Sequence, residues 1–421
     1  MSYRNISNWP AARIFRQSKH LGGEIGILKD VTLSLFKCLK QTVSYGSSGL
    51  ITLLFGLLVL SACAGLPVRG SVGMQTIDTR VDSEAARYYL GSYLAGQRSD
   101  AALDERIDRV YQSANGSLPD RYELKHLSDE FSVDFAALYF ADQIAHVPVN
   151  RRFRRVFDET YEYAGKALGE RRVKLSAVAD YEVLIVPIYL YKRLFGSGAD
   201  LAAPRAALQK VGFPCYFVET QDDGAVEANA DLVAEAIRSR AQGGRRLIVI
   251  SASKSSSEVA LALTKLGPAQ TRHVAAWINT AGVLQGTPLT DENLFQELEF
   301  LAGHLDAAGK ESLTTTRGRE RFDSFRVPEH VFVVNYVGIP VTGTISFFAR
   351  SSFLSLRKYG PNDGISLLAD VVFPSGVTLA DVGNDHFMRG KPLDITTVAL
   401  ALSVLRWLEQ ADSKLVQGPE S

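Results

Sequence analysis

The sequence predicts an α/β fold: a mainly parallel sheet with helices on both faces, preceded by an α-helical region and interrupted by a helical, lid-like insertion. Three observations carry that expectation. From Tyr181 onward, short β-rich runs alternate with amphipathic helical stretches, the pattern of parallel strands joined by crossover helices. Between about residues 81 and 170, apolar side chains recur at three-to-four spacing instead, as in Ala85, Tyr88, Tyr89 and in Phe135, Leu138, Tyr139. The composition, 46% hydrophobic and 22% charged over 421 residues, is that of a globular chain long enough for one large domain or two moderate ones. The 46 Lys and Arg balance the 46 Asp and Glu, so no basic excess points to a nucleic-acid partner.

The N-terminus departs from this average. Arg4, Arg13, Arg16, Lys19, Lys29, Lys37 and Lys40 outnumber Glu24 and Asp30, and the run Leu50–Leu60 then carries no charge. That run is too short to cross a hydrocarbon core of about 30 Å as a helix, but it suits the apolar region of an export signal. Leu60-Ser61-Ala62-Cys63 follows at once. It resembles the lipobox of bacterial lipoproteins, which implies removal of residues 1–62, acylation of Cys63 and anchorage in the cell envelope. By the same resemblance, Ala64 after the cysteine implies the periplasmic side of the outer membrane if the host is Gram-negative. Of the other cysteines, Cys38 lies in the leader and only Cys215 remains, so no internal disulfide is expected. No spacing reads as a metal site, and no cofactor is implied.

Residues 63–80 are polar and glycine-containing, which reads as a tether, followed by the helical region 81–170 and an α/β domain over 171–412. The strands expected there are Tyr181–Leu190, Cys215–Glu219, Arg246–Ile250, His273–Thr280, His330–Val337 and Val377–Val382. Helices are expected at Glu227–Ala241, Glu258–Leu266 and Ile395–Gln410, and the charged segment 294–325 reads as the lid-like insertion.

Three separated segments carry the chemistry. Residues 245–261 read as strand, tight turn, helix, with Ser253 on the turn and small residues, Ser251 and Ser255, two positions to either side. Tyr359-Gly360-Pro361-Asn362-Asp363-Gly364 places Asp363 in an Asn-Asp-Gly turn after a late strand, a context that Asp370, Asp381 and Asp385 lack. Asp381-Val382-Gly383-Asn384-Asp385-His386 presents a histidine on the loop after the last strand; His126, His146, His273, His304 and His330 lie in helices, at strand starts or in the insertion.

Together these segments resemble the Ser…Asp…His order and nucleophile elbow of the α/β-hydrolases, over roughly residues 181–410. The resemblance implies acyl transfer to Ser253, with His386 as base and Asp363 as its orienting acid. It also implies an oxyanion hole formed by the backbone N–H groups of Lys254 and Tyr189. Trp277–Leu289, with Gly286-Thr287-Pro288, is similar to the strand and loop after the nucleophile helix in lipases and in deacylases of lipid-linked substrates. The expected activity is hydrolysis of a small or lipid-like ester; an amidase or peptidase would share the triad. The chain departs from the family in two places. Serines replace both elbow glycines, where a positive φ would carry strain of about 1 kcal/mol, and the oxyanion turn at Pro187-Ile188 has no glycine. These departures leave a catalytically silent scaffold or binding lipoprotein as the alternative.

Overall fold

In the computed structural model the described chain begins as a β-hairpin. It covers residues 65–417 apart from 115, 170–177, 195–196 and 293–302. The leader, Cys63 and residues 294–302 of the expected insertion therefore lie outside the described residues. Strands β1 (Leu66–Val72) and β2 (Gln75–Val81) pair antiparallel, where a tether was expected. The physical reason is a period-two pattern among polar neighbours: Val68, Val72, Ile77 and Val81 all point inward and are buried. Gly70 has no room for a side chain, since a Cβ would stand 2.0 Å from the Leu90 carbonyl oxygen.

The helical region follows as α1 (Glu84–Gly91), α2 (Ala101–Ser113), α3 (Arg121–Glu130), α4 (Val133–His146) and α5 (Pro148–Gly169). Its helix starts are written locally. Ser83, Asp100 and Ser132 each accept a backbone N–H of the first turn, and Asp120 with Glu123 closes a capping box. Pro148 opens α5, where a missing N–H does no harm. This region is built into the α/β body: Tyr89, Phe135, Leu138 and Phe140 share one core with Val337, Ile339 and Ala380 of the sheet.

Next come β3 (Tyr181–Ile185), α6 (Ala202–Val211), β4 (Cys215–Phe217), α7 (Val226–Arg240), β5 (Arg246–Ala252), α8 (Lys254–Gln270) and β6 (Val274–Thr280). α9 (Pro288–Asp291) follows β6, and the described part of the 294–325 insertion holds α10 (Ala307–Glu311) and α11 (Thr315–Ser324). The chain ends in β7 (Phe332–Ile339), α12 (Arg350–Leu356), β8 (Val377–Val382) and α13 (Leu393–Gln417). Six strands form one sheet in the order β4-β3-β5-β6-β7-β8, every neighbouring pair parallel. β3 stops five residues short of its expected end, before Pro187, which has no N–H to give a ladder, and Leu190, which sits at φ 62°.

Alternation along the strands decides the two faces. Leu184, Leu247, Val249, Trp277 and Val333 pack beneath α7 and α8. Val183, Ile185, Ile248, Ile250, Ile278 and Val334 pack against α5, α6 and α13. The described part of the insertion is docked hard on this body. A Cβ on Gly309 would meet the Asp223 carbonyl oxygen at 1.8 Å, one on Gly318 the Gly286 nitrogen at 2.2 Å, and Arg321 Nε donates to Glu227 at 2.9 Å. Residues 65–421 separate as one compact unit.

Candidate active site

β5 ends at Ala252 and α8 begins at Lys254, leaving Ser253 alone on the turn at φ 57° and ψ −130°. This strained backbone is what a nucleophile elbow demands, because it lifts the side chain above the sheet edge. The strain expected at the two flanking serines is absent: neither Ser251 nor Ser255 has a positive φ. One lies in the strand and the other in the helix, and their hydroxyls bind locally. Ser251 Oγ accepts the Trp277 Nε1–H at 2.8 Å, and Ser255 Oγ donates to the Ala252 carbonyl at 2.8 Å. Glycine is needed instead at Gly282 in the loop after β6, where a Cβ would stand 2.1 Å from Asn279 Oδ1 and 2.7 Å from Ser256 Cβ. That close approach lets Val283 N–H reach the Ser253 carbonyl at 3.0 Å.

Ser253, His386 and Asp363 are brought together in one line. His386 Nε2 lies 2.9 Å from Ser253 Oγ, and its Nδ1 lies 2.8 Å from Asp363 Oδ2. A carboxylate only accepts, so Nδ1 carries the imidazole proton and Nε2 faces the serine hydroxyl as acceptor. Asp363 is held from behind: its Oδ1 accepts Ile365 N–H at 2.9 Å and Ser366 N–H at 2.7 Å. The His386 N–H donates to the Asp363 carbonyl at 2.8 Å, which ties the two loops together. Asp363 is 1% exposed, whereas Ser253 is partly open to solvent.

The rival acids are engaged elsewhere. Asp381 accepts from Lys391 Nζ at 2.7 Å, Tyr336 Oη at 2.5 Å and Asn384 Nδ2 at 2.5 Å. Asp385 accepts Ser346 N–H at 2.8 Å and Phe387 N–H at 3.0 Å. Asp370 pairs with Arg121 at 2.9 Å beside a cavity of about 570 Å³ that none of the three aligned residues lines.

These positions follow the sheet: Ser253 after β5, Asp363 after β7 and His386 after β8, each beyond a strand's carboxyl end. The fold is that of the α/β-hydrolases. No family model matches the chain, and no curated protein matches it. Among solved structures it is similar to a metagenomic carboxyl esterase, at 20% identity over 62% of this chain and 91% of that one, with a TM-score of 0.48. It is also similar to a lipase of Bacillus licheniformis in mature form (19%, 57% and 96%, TM-score 0.43). A third, lipase 1 from Pelosinus fermentans, stands at 12% identity, 55% and 99% coverage and a TM-score of 0.37.

The turn after β3 engages the donors on either side of Tyr189. Ile188 N–H goes to the Ala199 carbonyl and Leu190 N–H to that of Asp222, both at 2.9 Å, and Pro187 has none. Tyr189 N–H and Lys254 N–H, the donors expected from sequence, have no acceptor among the described residues. Sequence reasoning missed what lies behind them. The Lys254 and Glu258 side chains, each 2% exposed, form a buried ion pair one turn apart on α8. Asn229 Nδ2 donates to Glu258 Oε1 at 2.9 Å, and the Lys254 ammonium lies 5.5 Å from the Tyr189 ring centroid. The pair therefore packs the first turn of α8 against the turn after β3. A lysine and glutamate four apart usually mark a solvated helix face, so the sequence signal pointed the wrong way.

Burial pushes the Asp370 carboxyl up from its usual 3.8 to about 6, against the opposing pull of Arg121 and Arg319. The folded state thus holds a proton that the unfolded chain releases near pH 4. That contribution to stability is complete below about pH 3.9 and lost as pH rises through the folded value. Asp370→Asn is therefore expected to flatten the fall in melting temperature between about pH 4 and pH 7. Thermal unfolding of both proteins across that range checks it, and identical slopes would refute the assignment.

Proposed function

We propose that this protein is a membrane-anchored serine hydrolase, an esterase or lipase acting through a Ser253–His386–Asp363 acyl-enzyme mechanism. The observation that carries the reading is the pair of contacts, 2.9 Å and 2.8 Å, joining serine to imidazole and imidazole to carboxylate. As Ser253 Oγ attacks the ester carbonyl, His386 Nε2 takes its proton and Asp363 stabilises the resulting imidazolium. The oxyanion accepts hydrogen bonds from Lys254 N–H and Tyr189 N–H. Collapse expels the alcohol, which leaves with the proton from Nε2. Water, deprotonated by the same nitrogen, then attacks the acyl-serine; the bond to Oγ breaks, Nε2 returns the proton to Ser253 Oγ, and the acid leaves.

The test is turnover of p-nitrophenyl esters of increasing acyl length beside the matching anilides. Ester turnover with little anilide cleavage supports an esterase. The reverse preference assigns an amidase, and no turnover of either by folded protein supports the silent scaffold.

The anchor is proposed at Cys63, from the basic leader, the apolar run and the small residues before it. Acyl chains contribute about 0.8 kcal/mol per buried CH₂, so several on one residue hold a protein to a bilayer. Cys63→Ser in the full chain is expected to abolish fatty-acid labelling and move the protein from the membrane to the soluble fraction. Unchanged fractionation and labelling would remove the anchor from the account.

A further inference from the structure

An aromatic patch beside the His386 loop is left uncovered by the packing of the described residues. Phe347 is 87% exposed, Phe348 58%, Leu354 55% and Phe387 42%. The Phe347 and Phe348 rings meet edge to face at 5.8 Å, and the Arg389 guanidinium sits 4.5 Å from the Phe348 ring centroid. Phe387 follows His386 directly, their rings 5.9 Å apart. Arg350 and Leu354 stand one turn apart on the outer side of α12, whose inner side buries Phe353 and Leu356. Large rings at such exposure are uncommon on soluble surfaces unless something covers them.

The patch is held firmly in place. Ser346 N–H donates to Asp385 at 2.8 Å, joining the Phe347 loop to the His386 loop. A Cβ on Gly364, next to Asp363, would stand 2.8 Å from Ala349 Cβ, so the same loop also rests on the acid turn. The loop that carries Phe347 and Phe348 is thus fastened to the loops that carry His386 and Asp363.

We propose that Phe347, Phe348, Leu354 and Phe387, with Arg350 and Arg389, form a docking surface for an anionic lipid bilayer. The charge pattern selects this occupant. Arg350 and Arg389 have no carboxylate partner among the described residues, and they flank the rings as cations flank an interfacial anchor. The chain's entry to the body adds a second argument. Arg80 Nη1 donates to the Gly65 carbonyl at 2.7 Å, and the Arg80 carbonyl accepts Gly343 N–H at 2.8 Å. Gly65, where the body begins, is therefore fastened to the loop that carries Phe347 and Phe348. An acyl anchor at Cys63 would pull on that same edge. The inference rests on the proposed hydrolase for its purpose: docking would bring the partly exposed Ser253 to esters held in the bilayer.

The experiment is co-sedimentation of residues 65–421 with phosphatidylcholine vesicles and with phosphatidylcholine–phosphatidylglycerol vesicles, alongside hydrolysis of soluble p-nitrophenyl acetate. The body is expected to sediment with the anionic vesicles. Phe347→Ser/Phe348→Ser should weaken partitioning at least about tenfold, and Phe347→Trp/Phe348→Trp should retain it. Arg350→Gln/Arg389→Gln should weaken binding to the anionic vesicles by about tenfold or more. Soluble turnover should stay at the wild-type level in all three variants. Wild type left in the supernatant with both vesicles overturns the proposal, as does a serine variant that sediments like wild type. Equal binding to both vesicle types overturns the anionic choice. A wild-type dimer that the serine variant turns into a monomer assigns the patch to a second copy instead. Vesicle binding without any ester turnover would sink the hydrolase reading and leave the docking surface standing.

Discussion

Ser253→Ala is expected to lower kcat for a soluble ester by roughly 10⁴–10⁶-fold with little change in folding. The size follows from the arrangement, since serine, imidazole and carboxylate act as one unit. Without Oγ, the His386 Nε2 has nothing to deprotonate but water, and the acyl-enzyme route closes. The remaining rate would come from binding and oxyanion donors alone. Removing His386 as well should therefore add little, and Ser253→Ala/His386→Ala should match either single variant within a small factor. Asp363→Asn should also cost about 10⁴-fold, because an amide in that place can turn the imidazole to the wrong tautomer. Steady-state kinetics on the four proteins test this. Independent, additive losses would contradict a coupled line.

The second large effect concerns stability. Glu258→Ala is expected to destabilise the fold by about 3–5 kcal/mol, because it leaves the Lys254 ammonium buried without its counter-charge. Lys254→Met/Glu258→Leu, which removes both charges and refills the volume, should recover most of that loss. Chemical denaturation of wild type, Lys254→Met, Glu258→Leu and the double variant closes the cycle. A double variant as unstable as the sum of the singles would show that the pair does not interact as its geometry requires. Activity adds a separate reading. The pair packs the first turn of α8 against Tyr189, so the refilled variant should keep its KM and lose part of its kcat.

Much of this architecture was legible in the chain. The strands starting at Tyr181, Cys215, Arg246 and Val377 begin at their expected residues because their apolar runs are bounded by turn-formers or charge. Asp363 and His386 could be picked out because each follows a late strand in a loop that no helix or strand pattern continues. Other features were hidden for physical reasons. The β1–β2 hairpin buries only Val68, Val72, Ile77 and Val81, and its polar remainder read as a tether. The serines at 251 and 255 read as strained glycine substitutes, but strand and helix dihedrals suit serine and only Ser253 bears the positive φ. The Lys254–Glu258 pair was illegible because burial of a helix's first turn is decided by what packs over it, here the turn carrying Tyr189 and the side chain of Asn229.

The most direct measurement of the central claim is reaction of purified residues 65–421 with a fluorophosphonate, followed by peptide mapping. Such probes phosphonylate a serine only when an adjacent base activates it and oxyanion donors receive the charge. One phosphonate per chain is expected, on Ser253, lost in Ser253→Ala and strongly slowed in His386→Ala. Folded protein that stays unlabelled, or carries the label on another residue, would contradict it.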